Sequence, residues 1–357
     1  MNLLLPPACF RRLRSVKISP KFLSKRLMRI LSILLGIGAA AVVALAWWGA
    51  TALLQPSRRT LQDYHKEMLD QPRRFGLALH AFEVPAEKVG GYSMPCLLCE
   101  PDAGAAPGAR GQILRKQLGA MGVKLAEFGT VRGTVVLLHG HKGRKEDGLP
   151  VAERFCAAGL RCILLDLPAQ GDNANPIASF GLREWRLPSE AVREASKRFR
   201  FPERPCALWG ISQGGAVAIQ AAAQTPCDTL VVLSSFPRLN DVCEAQSRRL
   251  FGPLSITMDA LMDRITAWRA GYIPSQVRPI DFARRLQMPV LIAHGTADTL
   301  IPLASGRQLY DALQSPVKRW LPVEGGTHDR VLTTPMPLYA EMTRFLLENM
   351  RPKVPIP

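Results

Sequence analysis

Residues 208–215 read Leu208-Trp209-Gly210-Ile211-Ser212-Gln213-Gly214-Gly215, so Ser212 sits in a G-x-S-x-G pentapeptide with Gly210 and Gly214 on either side. That spacing suits a serine carried on a tight turn, because only small neighbours let the chain reverse there. The apolar run 206–209 before it reads as a strand, and the small-residue run 216–223 after it reads as a helix. A strand-to-helix turn lifts the hydroxyl clear of a sheet edge, and the start of the helix aims backbone N–H groups at whatever the hydroxyl attacks. The chemistry this setting offers is nucleophilic attack on an electrophilic carbon. The pentapeptide alone leaves a bland alternative open, a glycine-rich loop before a core helix, and the rest of the chain must decide.

A nucleophilic serine needs a base and a group that orients the base. The chain has six histidines: His65, His80, His139, His141, His294 and His328. His328 lies in Glu324-Gly325-Gly326-Thr327-His328-Asp329, a turn-rich loop between the strand-like run 317–323 and a final helix. Asp298 lies in the loop that follows the apolar run beginning Val290-Leu291-Ile292-Ala293. Alone, Asp298 reads equally as the cap of a helix beginning near Pro302, and His328 as a loop histidine without a task. Together, in order and each just beyond an expected strand, they complete a candidate triad of Ser212, Asp298 and His328. An anion site is the remaining requirement. The strand-like run 133–138 enters a His139-Gly140-His141 turn, where the backbone N–H of His141 is the natural first donor and that of Gln213 the second. Two histidines at i, i+2 on a turn without a Cys/His/carboxylate cluster make a poor zinc site, so no metal or other cofactor is expected.

These pieces resemble the α/β-hydrolase superfamily over residues 131–345, where the order Ser, Asp, His is the usual one. The resemblance rests on Leu138-His139-Gly140, the next strand ending at Asp166, the elbow at Ser212, the acid loop at Asp298 and the histidine loop at His328. The loop Ala169-Gln170-Gly171-Asp172-Asn173 departs from the family's usual D-x-x-G-x-G-x-S stretch, which weakens inference about substrate and leaves the triad untouched. The resemblance implies a mostly parallel sheet flanked by helices. Independently, short apolar runs alternating with helical stretches point to a parallel α/β sheet.

The elements that must position these residues occupy residues 77–350, with strands expected at 77–84 and 91–99 as an antiparallel start to the sheet and a surface helix at 113–128. Residues 240–287 have helical periodicity and are expected either as core or, from the resemblance, as a cap; in a cap, Met258, Met262 and Trp268 would point to an acyl pocket. Residues 55–76 read as a linker or helical stalk. Residues 30–54 carry no charged side chain, and about twenty helical residues span a hydrocarbon core of roughly 30 Å. Trp47 and Trp48 near the far end suit an interfacial belt. Residues 1–29 hold eight Lys/Arg and no acid, which predicts a basic cytoplasmic N-terminus, a signal anchor at 30–54 and a catalytic domain outside the cytoplasm. The competing reading is a cleaved secretory signal, since Ala44-Leu45-Ala46 offers an A-x-A site.

The formal charge is +17, but without residues 1–29 the remainder carries only +9. No Lys/Arg stripe interleaved with aromatics appears in the catalytic part, which argues against nucleic-acid binding. Eight cysteines permit disulfides in an exported domain, with connectivity left open. Cys96 and Cys99, three apart in an expected strand, should face opposite ways. The expected function is a serine hydrolase that cleaves a carboxylic ester or related acyl bond in a small-molecule or lipid-like substrate. A peptidase or amidase of the same fold and a non-catalytic binding protein are the alternatives.

Overall fold

The central strands are apolar on both faces because both faces are covered, the usual pattern of a parallel sheet under helices. The computed structural model describes residues 25–334 and 337–350. In chain order its elements are α1 (Lys25–Leu54), α2 (Asp63–Asp70), β1 (Leu77–Val84), α3 (Ala86–Val89), β2 (Met94–Pro101), α4 (Ala109–Ala120), β3 (Gly133–Leu138), α5 (Leu149–Ala157), β4 (Leu160–Leu165) and α6 (Leu187–Phe199). There follow β5 (Cys206–Ile211), α7 (Gln213–Ala222), β6 (Thr229–Leu233), α8 (Leu239–Phe251), α9 (Ser255–Ala270), α10 (Pro279–Ala283), β7 (Val290–Gly295), α11 (Leu303–Ala312), β8 (Lys318–Val323) and α12 (Leu338–Asn349).

The eight strands form one sheet in the order β1-β2-β4-β3-β5-β6-β7-β8. β2 is antiparallel to both β1 and β4, and every other pairing is parallel. Side-chain alternation divides the core. Val136, Leu138, Leu208 and Val232 pack on the face that carries α6 and α7. Val135, Leu137, Trp209 and Val231 pack on the face that carries α5 and α12. Cys96 and Cys99 fall in these two separate cores, as a strand spacing of three requires. The seven described cysteines are unpaired thiols. Burial pushes Cys96, Cys99, Cys162 and Cys206 well above the usual thiol range, so they behave as small core residues.

Several local expectations shift. The helix expected at 113–128 runs from Ala109 to Ala120, because Gly122 takes a positive φ of 76° and ends it. The second strand begins at Met94, after Gly90 and Gly91, both with positive φ. Strand β6 has no distinct signature in the sequence. Its five residues are too short a run to separate from the helix before it by periodicity.

The chain divides into two compact units, Met1–Ala44 and Leu45–Pro357. The described part of the first is helical, with Ile33, Leu34, Leu35 and Ile37 exposed. The stretch Leu27–Leu54 is long and apolar enough to cross a membrane. The basic tail lies outside the described residues as far as residue 24. In the second unit, residues 55–76 hold α2 and a 3-10 turn. Met68 enters the core, His65 is fully buried, and the Arg58 guanidinium donates to the carbonyls of Gly171 and Asn173, each at 2.6 Å.

Burial lowers the pKa of His65, His139, His141 and His294 below the ordinary 6.5, because each imidazole loses its hydration. The sign of the consequence follows directly. Below 6.5 the unfolded chain takes up protons that the folded chain refuses, so stability falls with falling pH, by at most about 1.4 kcal/mol per pH unit for each histidine. The melting temperature of the full chain is therefore expected to drop steadily from about pH 7 to about pH 5. A flat profile over that interval would contradict the neutral assignment of these rings.

Candidate active site

The elbow is built by two glycines and a strained serine. β5 ends at Ile211, α7 begins at Gln213, and Ser212 between them adopts φ 55° and ψ −119°. A non-glycine residue rarely occupies that region, and a strained backbone of this kind persists only where its surroundings hold it. Here the Ser212 N–H donates to the Leu233 carbonyl at 2.9 Å, and the Ser235 hydroxyl donates to the Ser212 carbonyl at 2.9 Å. A Cβ at Gly210 would strike the backbone of Gly214, and one at Gly214 would strike the carbonyls of Leu138 and His139. Helix α7 folds back too closely on β5 at Gly210, and lies too close to the end of β3 at Gly214, for a side chain at either position.

Three loops converge above this turn. The His328 Nε2 lies 3.0 Å from the Ser212 Oγ, and its Nδ1 lies 2.8 Å from the Asp298 Oδ2. The other carboxylate oxygen of Asp298 accepts the N–H groups of Leu300 at 3.0 Å and Ile301 at 2.8 Å. Burial opposes ionisation of Asp298, but the His328 and Ile301 hydrogen bonds outweigh it and hold its carboxyl below the usual range. An ionised acid, a histidine and a hydroxyl thus stand in one line of hydrogen bonds. Ser212 and Asp298 are nearly buried, at 9% and 6% exposure, so water competes weakly for these bonds.

The turn after β3 packs against the serine. A Cβ built on Gly140 would lie 3.5 Å from the Ser212 Cβ, and Lys142 takes a positive φ of 64°. Gln213 is the first residue of α7, so its backbone N–H has no intrahelical partner. The His141 ring bridges two elements, with Nδ1 2.9 Å from the Gln213 Oε1 and Nε2 3.1 Å from the Ala52 carbonyl oxygen. His139 accepts the Leu167 N–H at Nε2, at 3.1 Å, and its Nδ1 lies 2.8 Å from the Gly140 carbonyl oxygen. Both rings are therefore engaged by the protein itself.

Two groups at the site had no role in the sequence reading. His294, on β7, is fully buried behind the acid, with Nε2 2.8 Å from the Ile301 carbonyl oxygen and 3.6 Å from the Asp298 Oδ2. Its place four residues before Asp298 on an apolar strand was the available signal. The second group is an ionic cluster. Asp166 accepts the Lys145 N–H at 2.7 Å, the Lys145 ammonium at 2.8 Å and the Asp172 N–H at 2.9 Å, tying the turn after β3 to the loop after β4. A Cβ at Gly171, where φ is 53°, would collide with the Asp166 carboxylate. That collision explains the glycine in a loop that otherwise departs from the expected pattern.

Ser212 stands between two cavities. One, of about 510 Å³, is lined by His328, Arg59, Lys142, Lys145, Asp147 and Asp329 among others. The other, of about 340 Å³, is lined mainly by apolar side chains that include Phe236, Val242, Met262 and Ile301. Residues 240–287 thus supply α8 and α9 as one wall of this second cavity. Of the three side chains singled out for an acyl pocket, Met262 lines it, Met258 is buried elsewhere in the helix pair, and Trp268 is exposed to the outside.

The sheet order, the elbow and the three converging loops define a class. The alpha/beta hydrolase family model matches residues 135–355, and the chain belongs to that family. An uncharacterized Bacillus subtilis protein, YqkD, is 22% identical over 220 residues, which cover 61% of this chain and 72% of that one. Among solved structures, the Pyrococcus furiosus esterase PF2001 superposes with a TM-score of 0.59 at 14% identity, covering 84% of this chain and 98% of the esterase. The Pyrococcus horikoshii acylaminoacyl peptidase gives a TM-score of 0.53 at 14% identity, covering 84% of this chain and 46% of the peptidase. At these identities the two structures share the fold with this chain.

Proposed function

We propose that the protein is a membrane-anchored serine hydrolase that cleaves a carboxylic ester through an acyl-enzyme. The observation that carries this reading is the unbroken line from the Asp298 Oδ2 through His328 to the Ser212 Oγ, with separations of 2.8 and 3.0 Å. In this mechanism the Ser212 Oγ attacks the acyl carbon as the His328 Nε2 takes its proton. Asp298 holds the imidazole in the tautomer that leaves Nε2 free to accept, and stabilises the imidazolium that forms. The backbone N–H groups of Gln213 and His141 bind the developing oxyanion, a contribution of roughly 3–4 kcal/mol per donor in well-studied hydrolases. The proton then passes from Nε2 to the departing alkoxide. Water, deprotonated by His328, attacks the acyl carbon, and the Ser212 Oγ departs with the proton from Nε2 as the carboxylic acid is released.

The anchor is α1. Basic residues crowd its N-terminal flank, which favours the N-terminus in the cytoplasm and the catalytic unit outside it. Cleavage after the apolar run would give a secreted form of the same enzyme.

The test pairs a fluorophosphonate probe with two substrate panels, p-nitrophenyl esters and aminoacyl-nitroanilides. Labelling at Ser212 with turnover of the esters is the expected result. Faster turnover of the anilides would make the protein a peptidase or amidase. Failure of both labelling and turnover would leave a binding protein on a hydrolase fold.

A further inference from the structure

The two cavities at Ser212 are chemically unlike, and the mechanism assigns them. His328 must protonate the leaving group, so the leaving group lies on the His328 side, in the more polar cavity lined by Arg59, Lys145 and Asp147. The acyl group then occupies the apolar cavity on the Gln213 side, which His328 does not line. One wall of that acyl chamber comes from the last turns of α1. Trp48, Gly49, Ala52 and Leu53 face it, opposite α8 and α9. The same segment is held by side chains. Arg269 donates to the Thr51 hydroxyl at 2.6 Å and to the Gln55 Oε1 at 2.7 Å, while Ala46, Ala50 and Leu54 are fully buried.

Two of the lining side chains are strongly exposed, Trp48 at 62% and Leu250 at 64%, and they mark where the chamber reaches the surface. Beside that mouth Trp47 and Trp268 are also exposed, with their rings 5.8 Å apart. Large apolar groups gathered on one surface mark a binding face, whereas scattered ones do not. This face adjoins the end of the stretch Leu27–Leu54, which is apolar enough to span a bilayer. Tryptophans at such an end belong at the level of lipid headgroups. The exposed Arg248 and Arg249, next to Leu250 on α8, add cations that suit an anionic lipid surface.

We propose that the acyl chamber opens at the bilayer surface and that the substrate is a long-chain acyl ester resident in the membrane, its chain threading past Trp48 and Leu250 toward Ser212. This rests on the ester-hydrolase reading above and names the substrate class of that same site. The anchor helix is then part of the substrate pocket as well as a tether.

The experiment uses the full chain reconstituted in lipid vesicles, with labelling by fluorophosphonate as the control for an intact Ser212. The readout is the ratio of kcat/KM for p-nitrophenyl decanoate over the acetate, together with release of oleate from monooleoylglycerol and dioleoylphosphatidylglycerol in the vesicle. Burial of several methylenes should favour the decanoate at least about tenfold. Ala52→Trp, which fills the chamber from the helix side, is expected to lower that ratio by about tenfold. If it does not label, Leu250→Glu carries the test from an exposed position that does not threaten the fold, with a fall in the same ratio. An unchanged ratio in a labelled variant, or turnover of soluble esters without release of oleate from either lipid, would overturn the proposal while leaving the hydrolase intact. Absence of labelling and of all ester turnover in the unmodified protein would instead remove the hydrolase reading itself.

Discussion

Ser212→Ala is expected to lower kcat for ester hydrolysis by about a million-fold and to abolish fluorophosphonate labelling. The alanine removes the oxygen placed 3.0 Å from the His328 Nε2 and leaves the rest of the site standing. Oxyanion donors and substrate binding would still supply a residual rate roughly a thousand-fold or more over water. The fold should survive, because the elbow is held by the backbone of Ser212, through Leu233 and Ser235, and not by its hydroxyl. The comparison of kcat between the two proteins, at equal melting temperature, is the measurement. Labelling that persists in the alanine variant would place the nucleophile elsewhere.

Asp298→Asn is expected to cost about ten-thousand-fold in kcat with little change in structure. The asparagine oxygen can still accept the N–H groups of Leu300 and Ile301, so the loop keeps its shape. Its amide NH₂ then faces the His328 Nδ1, which must accept instead of donate. The ring is forced into the tautomer that points an N–H at the Ser212 Oγ, and the base is lost. His294 offers no substitute, since its Nε2 is directed to the Ile301 carbonyl oxygen. A decrease of less than tenfold, in a variant with unchanged melting temperature, would remove Asp298 from the mechanism.

The site and the fold were legible in the sequence to different depths. Gly210, Ser212 and Gly214 are local chemistry, because the turn they form is decided by which neighbouring residues lack a Cβ. Asp298 and His328 were readable because each follows an apolar strand, and parallel strands deliver their following loops to one edge of the sheet. The structure sets both within hydrogen-bonding distance in the line to Ser212. Strand β6 gives no distinct signal in the sequence, since five buried residues carry no periodicity. The antiparallel β2 differs from its parallel neighbours in partner direction alone, which composition does not record.

Composition, motif spacing and the 25-residue uncharged run at 30–54 determined the family resemblance, the candidate triad and the candidate membrane span from the sequence by itself. These are properties of short segments, governed by local sterics and by transfer from water. Only the tertiary structure decided that Trp48, Gly49, Ala52 and Leu53 wall the cavity beside Ser212, that His294 lies behind Asp298, and that Asp166 ties two loops together. Each of these joins residues distant along the chain, and helix α1 is the plainest case. Its apolar side chains satisfy a bilayer and a protein pocket equally well, so hydrophobicity alone could not say which of them the enzyme uses.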